Sequence, residues 1–288
     1  MSRRDDSSGE LEDVRREIDD IDDGILDLLK QRFRAVERVK QIKGFDRGTV
    51  GSALRPAREA QVIRRLVAAS RGDVPVRLVA KMWFELMAAA TRLQSPISIH
   101  LPRSPVRLQL QDLVRFHAGA ELRVVEHGTP QEALTAVGDS QGDIMFCPLG
   151  EETEAVGEIE RQCFVALLGA GPEMRIAARL PFVAGTGDIE VLVAGKVPYE
   201  PSGDDTTLLA VKSELPVTEL LIGVGFDPAP APKPCSSGAD MDHWRVYEMA
   251  GFVSADDDRL AALSADPRCS EIRYLGGFAN PIEKGDAT

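Results

Sequence analysis

The chain is short of the residue types that announce most chemistries. Its 288 residues include four cysteines, four histidines and two tryptophans. Cys147, Cys163, Cys235 and Cys269 form no CxxC pair. That argues against a zinc site or a disulfide framework, and for reduced thiols. No apolar run approaches the roughly 20 residues that a membrane span needs. The opening MSRRDDSSGELED has no apolar core, so it does not read as a secretory signal. A cytoplasmic protein, with no membrane partner, is the expectation. Positive charge is scarce too: 34 Lys and Arg face 46 Asp and Glu, a formal net charge of -12. A general nucleic-acid binder needs a basic face and is excluded. A small basic pocket for an anion is not.

What the chain does have is helical periodicity, followed by a change of texture. Residues 1–9 are polar, and the composition predicts disorder there. From Glu10 to Lys43 apolar residues recur at helical spacing: Leu11, Val14, Ile18, Ile21, Ile25, Leu28, Leu29, Val36, Val39. A helix this long needs other helices or a partner chain to cover its stripe. Glycines and a proline mark Gly44–Pro56 as a loop. A second helix follows over Ala57–Ser70, with Glu59, Val62, Ile63, Leu66 and Val67 on its stripe. A third runs over Val76–Leu93, with Val79, Met82, Trp83, Leu86, Met87, Ala90 and Gln94. After Pro96 short strands appear: ISIHL, ELRVVEH, GDIMFCPL, DIEVLVAG, TTLLAVKS, WRVYEMAGF and SEIRYLGGF. TPQEALTAVGDSQ and ADDDRLAALSAD read as helices among them, an α/β arrangement. Phe226–Asp240 is Pro-rich and reads as a linker or long loop.

Each of the first three helices carries polar residues inside its apolar stripe. Arg32 sits between Leu29 and Val36. Lys43 follows about three turns later and points the same way. Glu59 lies on the second stripe and Gln94 closes the third. Each has a plain structural explanation: Arg and Lys stems snorkel, a first-turn carboxylate suits the helix dipole, and a last-turn glutamine can face water. Together they are harder to explain so, because buried charge costs several kcal/mol without partners. Two cations against one carboxylate would be satisfied by a dianionic ligand. Arg15 lies about 100° round the helix from Arg32. It could serve a partner subunit's pocket, or simply pair with nearby acids.

LEDVRREIDDIDDGILDLLKQRFRAVERVKQIK, then RPAREAQVIRRL, then WFELMAAATRLQ, resembles the all-helical AroQ-type chorismate mutases over residues 10–96. The resemblance implies three helices per chain, intertwined in a dimer with two equivalent sites. It implies that Arg32 and the other subunit's Arg15 bind the two carboxylates of chorismate. Lys43 and Gln94 would donate to the ether oxygen. Glu59 would hold the ring hydroxyl, with Arg58 beside it and the Arg55 backbone nearby. Ala90 stands where some members carry serine. The rearrangement to prephenate needs no metal, cofactor or nucleophile. It needs positioning and cationic donors where charge develops, and arginines suit carboxylates. The histidines, His100, His117, His127 and His243, all lie outside this region and read as unremarkable.

The rest of the chain resembles a degenerate prephenate dehydratase (97–203) followed by an ACT regulatory region (204–288), in the order of the bifunctional P-protein. Thr153 and Glu154 remain of one dehydratase motif, whose Asn-Ser is replaced by Gly150-Glu151-Glu152. Thr186 is followed by Gly187-Asp188, where the family has Arg-Phe. About thirty residues between Glu154 and Thr186 are too few for a second lobe. In the ACT-like part the Gly-Ala-Leu turn expected after Pro216 is absent and KPCSSG replaces Glu-Ser-Arg-Pro, which argues against phenylalanine binding; some other effector on this region stays open. The expected fold is multidomain: an all-α three-helix mutase, a truncated α/β lobe, and an α+β ACT-like region. The expected activity is chorismate mutase with an inactive dehydratase half. The alternatives are a bifunctional mutase–dehydratase, a non-catalytic helical dimer regulating a shikimate-pathway enzyme, and an isochorismate-cleaving relative.

Overall fold

The computed structural model describes residues 3–43, 53–70, 72–150, 153–185, 188–230, 233–235 and 243–282. The chain divides into two compact units, Met1–Thr49 and Val50–Thr288. The first is one helix, α1 (Arg3–Lys43), of 41 residues, about 60 Å long at 1.5 Å per residue. It starts well before Glu10, so the expected disorder over residues 1–9 does not hold from Arg3 onward. Once a helix is nucleated, each further residue adds a hydrogen bond at little cost. Its apolar stripe is uncovered: Leu11, Val14, Ile18, Ile21, Ile25 and Leu28 are 43–65% exposed. Short-range pairs such as Lys30–Asp27, 2.8 Å apart, lace its polar side.

The second unit opens with α2 (Pro56–Ser70) and α3 (Val76–Gln94). Pro56 takes the first position of α2, where a missing N–H costs nothing. Gly72, with φ of +83°, helps turn the chain towards α3. The two helices pack on each other and present Ala60, Ile63, Val67, Ala80, Phe84 and Met87 to a shared core with Phe182, Val183 and Ala279. This displaces the expected stripes. The small and aromatic positions face the sheet, while Met82 and Leu93 stay exposed and Val62, Trp83 and Leu86 are half-buried.

The remainder of this unit follows the order β1 (Ser98–Pro102), α4 (Arg107–His117), β2 (Arg123–His127), α5 (Pro130–Gly138), β3 (Ile144–Leu149), α6 (Glu154–Gly169), β4 (Arg175–Leu180) and β5 (Glu190–Gly195). It continues with β6 (Asp205–Lys212), α7 (Thr218–Gly223), β7 (Lys233–Pro234), β8 (Trp244–Ala250), α8 (Asp258–Ser264) and β9 (Glu271–Ala279). All nine strands join one mixed sheet, ordered β2-β1-β3-β5-β4-β9-β6-β8-β7. β1 runs parallel to both β2 and β3, whereas β5 is antiparallel to β3 and β4. β3 is buried along its whole length, as a strand covered on both faces must be. α4 packs with Ile99, Leu101, Ile144 and Phe146 on one face. α5 and α6 pack with Met145, Cys147 and Leu149 on the other.

The last four strands, ordered β9-β6-β8-β7 with α7 and α8, form a βαββαβ unit of ferredoxin-like topology. The Pro-rich stretch read as a loop contains β7, which pairs Lys233 with Val246. This unit and the preceding lobe are not separate layers. β4 meets β9 in parallel at Ile176 and Gly276. Gly276 has φ of +91°, and a Cβ there would lie 2.3 Å from the Ile176 carbonyl oxygen. Only glycine permits that approach. No helix among the described residues is long and apolar enough to cross a membrane.

Candidate functional site

On α1, Arg15 Nη1 pairs with Glu12 Oε1 at 2.7 Å, the local pairing weighed from sequence. Arg32 is half-buried, and burial pulls its guanidinium below the ordinary value. Lys43 is the last residue of α1, and its side chain lies outside the described residues. So does most of the Gly44–Pro56 loop.

The other expected site residues belong to the second unit. The Arg55 backbone carbonyl accepts the Glu59 N–H at 3.0 Å. Its guanidinium clasps Glu200, with Nε–Oε2 at 2.9 Å and Nη2–Oε1 at 2.7 Å. Arg58 is exposed and donates to Gln61 at 3.3 Å. Ala90 is buried, and its carbonyl accepts Gln94 Nε2 at 3.0 Å. Gln94 thus turns back on its own helix instead of reaching into water.

Glu59 keeps its place in the first turn of α2. It borders a mainly apolar cavity of about 80 Å³ between α2, α3 and the sheet. A smaller cavity of about 40 Å³ adjoins on its other side, sharing Pro56, Phe84, Ala178 and Leu180. Burial pushes the Glu59 carboxyl up to about 7. No hydrogen bond or neighbouring charge among the described residues offsets that burial.

Two further residues on this cavity were not singled out from sequence. His117, at the end of α4, is buried, packs on Phe84 with ring centroids 4.6 Å apart and planes tilted by 55°, and has no hydrogen-bond partner on either ring nitrogen among the described residues. Burial lowers it to about 3, with Asp188 opposing and Arg77 and Lys81 assisting. Arg92 Nη1 is buried and unpartnered, while Nη2 reaches Glu121 at 3.3 Å. The sequence signal was slight: a histidine in the last turn of the amphipathic segment RLQLQDLVRFH, whose apolar face predicts burial.

The remaining histidines also correct their unremarkable reading. His100 Nδ1 lies 2.7 Å from His127 Nε2, and His100 Nε2 lies 3.1 Å from Asp143 Oδ2. Which imidazole nitrogen donates in the His100–His127 contact is set by the tautomer. Neighbouring β-strands create this array, and the sequence separation of 27 residues between the imidazoles hides it. No cluster of three or more His, Cys, Asp or Glu that could hold a metal occurs among the described residues. The four cysteines are free and buried.

Of the dehydratase-like motif remnants, Thr153 is the N-cap of α6, accepting the Val156 N–H at 3.3 Å, and Glu154 opens that helix. Glu151, Glu152, Thr186 and Gly187 lie outside the described residues. The stretch between the two motifs forms α6 and β4 and adds to the same sheet. In the ferredoxin-like unit a surface cleft opens between the β6–α7 connection, His243 and Arg268, with the buried Ser213 on its wall.

Residues 14–95 match the family model "Chorismate mutase type II". The chain carries an N-terminal type II chorismate mutase domain. It is 28% identical over 140 residues to a bifunctional chorismate mutase/prephenate dehydratase of Neisseria gonorrhoeae, covering 49% of this chain and 37% of that one. It is 27% identical over 92 residues to the protein of the same name from Stutzerimonas stutzeri, covering 31% and 25%. The chain therefore spans between a quarter and two fifths of these curated relatives. Among solved structures, a quorum-quenching acylase, GqqA, overlays with a TM-score of 0.46 at 15% identity, over 65% of this chain and 95% of that one. A prephenate dehydratase from Streptococcus mutans overlays with a TM-score of 0.42 at 14% identity, over 65% and 100%.

Proposed function

We propose that the protein converts chorismate to prephenate. The observation that carries this reading is the ordered set Arg15, Arg32, Lys43, Glu59 and Gln94, spaced as in the resembling mutases and lying within the matched residues 14–95. Arg32 and the Arg15 of a second copy clamp the two carboxylates bidentately. Lys43 and Gln94 stabilise negative charge on the breaking ether oxygen. Glu59 takes the ring hydroxyl, with Arg58, the Arg55 backbone and Ala90 around it. The uncovered stripe of α1 supports an intertwined dimer. Apolar surface of that extent on one helix calls for a partner helix.

In this reading residues 97–203 are a truncated dehydratase-like lobe without turnover of their own, and residues 204–288 are an ACT-like regulatory region. The βαββαβ order of β6–β9 supports the second assignment, and the cleft at the β6–α7 connection is the place for an effector. A bifunctional enzyme is the second reading, favoured by the bifunctional names of the relatives. Incubation of purified protein with chorismate separates them. Prephenate alone supports the mutase, and phenylpyruvate formed without acid supports the bifunctional reading. Loss of chorismate to other products, or no loss, overturns both.

A further inference from the structure

The cavity between α2, α3 and the sheet combines two features that oppose one another. Its wall is apolar, built from residues such as Ile97, Leu122, Ile144 and Phe146. Two polar groups on that wall lack hydrogen-bond partners among the described residues, both nitrogens of His117 and Arg92 Nη1, and the half-buried Glu59 carboxyl borders the same space. His117 is only 8% exposed. Buried polar groups in folded proteins are almost always satisfied. Leaving His117 and Arg92 Nη1 unsatisfied weakens the fold, so something that hydrogen-bonds belongs there.

Its chemistry follows from the wall. Burial disfavours the charged forms of both Glu59 and His117, so a charged ligand is penalised in the same way. The polar groups on the wall include an acceptor, a neutral imidazole that both donates and accepts, and a guanidinium N–H. A hydroxyl group answers a donor and an acceptor at once. The space, about 80 Å³ with a further 40 Å³ adjoining, has Phe84 on the wall of both cavities. It suits one small ring, not a dianion of the size of chorismate. We propose that this cavity binds a small uncharged ring compound bearing one hydroxyl, of the phenol class, with its hydroxyl on His117 and Glu59. The ligand sits where the mutase helices meet the α/β sheet, so its occupancy is felt by both. The site shares Glu59 with the reaction proposed above, while His117 and Arg92, which take no part in that reaction, belong to this cavity alone.

The test is ligand-observed NMR with calorimetry on the full-length protein, without chorismate, using phenol, toluene and benzoate. Phenol binds saturably at millimolar concentration or below, toluene about tenfold more weakly for want of one hydrogen bond, and benzoate weakest. Ala88→Leu, which fills the cavity from α3, weakens phenol by at least about tenfold. His117→Phe brings phenol down to the affinity of toluene. The His117 ring resonances of the wild type shift on adding phenol, a readout that survives if a variant fails to fold. Absence of saturable phenol binding, meaning that water alone fills the space, overturns the proposal. So does benzoate binding as tightly as phenol, phenol binding unchanged by Ala88→Leu, or unmoved His117 resonances. Chorismate turnover, whatever its outcome, leaves these results standing.

Discussion

The Arg64 guanidinium on α2 donates to the backbone carbonyl of Asn280 at 2.7 Å, across a sequence separation of 216 residues. The same group reaches Ser202 Oγ at 2.9 Å and the Asp204 carbonyl at 2.8 Å, and lies over the Phe182 ring at 5.4 Å from its centroid. One side chain thus ties a mutase helix to both ends of the ferredoxin-like unit. Its worth is that of several charge-assisted hydrogen bonds. Arg64→Ala should cost about 2–4 kcal/mol in urea unfolding, and Arg64→Lys should recover only part. By contrast, Glu200→Ala, which breaks the half-exposed pair with Arg55, should cost less than about 1 kcal/mol.

Stability should depend on pH through two buried groups with opposite signs. Glu59 rises from 4.5 to about 7 on folding. Its contribution is present below 4.5 and is lost as pH rises through 7, by at most about 3 kcal/mol. His117 falls from 6.5 to about 3. Its contribution is present above 6.5 and is lost as pH drops, at about 1.4 kcal/mol per pH unit. His127 is lowered as well, first by burial and then by His100, and acts in the same direction. Between pH 4.5 and 6.5 the slopes of Glu59 and His117 oppose. Denaturant titrations should therefore find Glu59→Gln more stable than the wild type at pH 8 and no better at pH 4. His117→Phe should lose the acid-side slope. Parallel curves for all three proteins would contradict the placement of both groups.

The seam between β4 and β9 makes a sharper demand on sequence. Gly276→Ala forces a Cβ against the Ile176 carbonyl at positive φ, so a loss of about 2–4 kcal/mol in thermal or urea unfolding is expected. An Ala variant as stable as the wild type would mean that the two strands do not meet there.

The α1 stripe, the α2 and α3 segments and seven of the strands were legible in sequence because each has a period that its own residues display. Helix α4 has a short stripe of Leu110, Leu113, Val114 and His117 set among Arg and Gln, so its periodicity is weak along the chain. β7 is only two residues long and exists by pairing with β8. The site was read by spacing and resemblance, which named Glu59 but could not tell which wall it faces. That depends on Phe84 and Ala60 packing towards the sheet, a tertiary choice with no local signature. The His100–His127–Asp143 array and the His117 cavity are products of strand adjacency and helix docking, so neither is visible along the chain.

Within the proposed reaction, Arg32→Ala and Lys43→Ala should each lower turnover by at least about a hundredfold, the scale of losing a donor to the transition state. Circular dichroism should show unchanged helix content.

The most direct measurement is the absorbance loss of chorismate on adding purified full-length protein, with the product identified before and after mild acid. The account predicts prephenate that becomes phenylpyruvate only on acidification, at a rate abolished by Lys43→Ala. Folded protein that leaves chorismate untouched would contradict it.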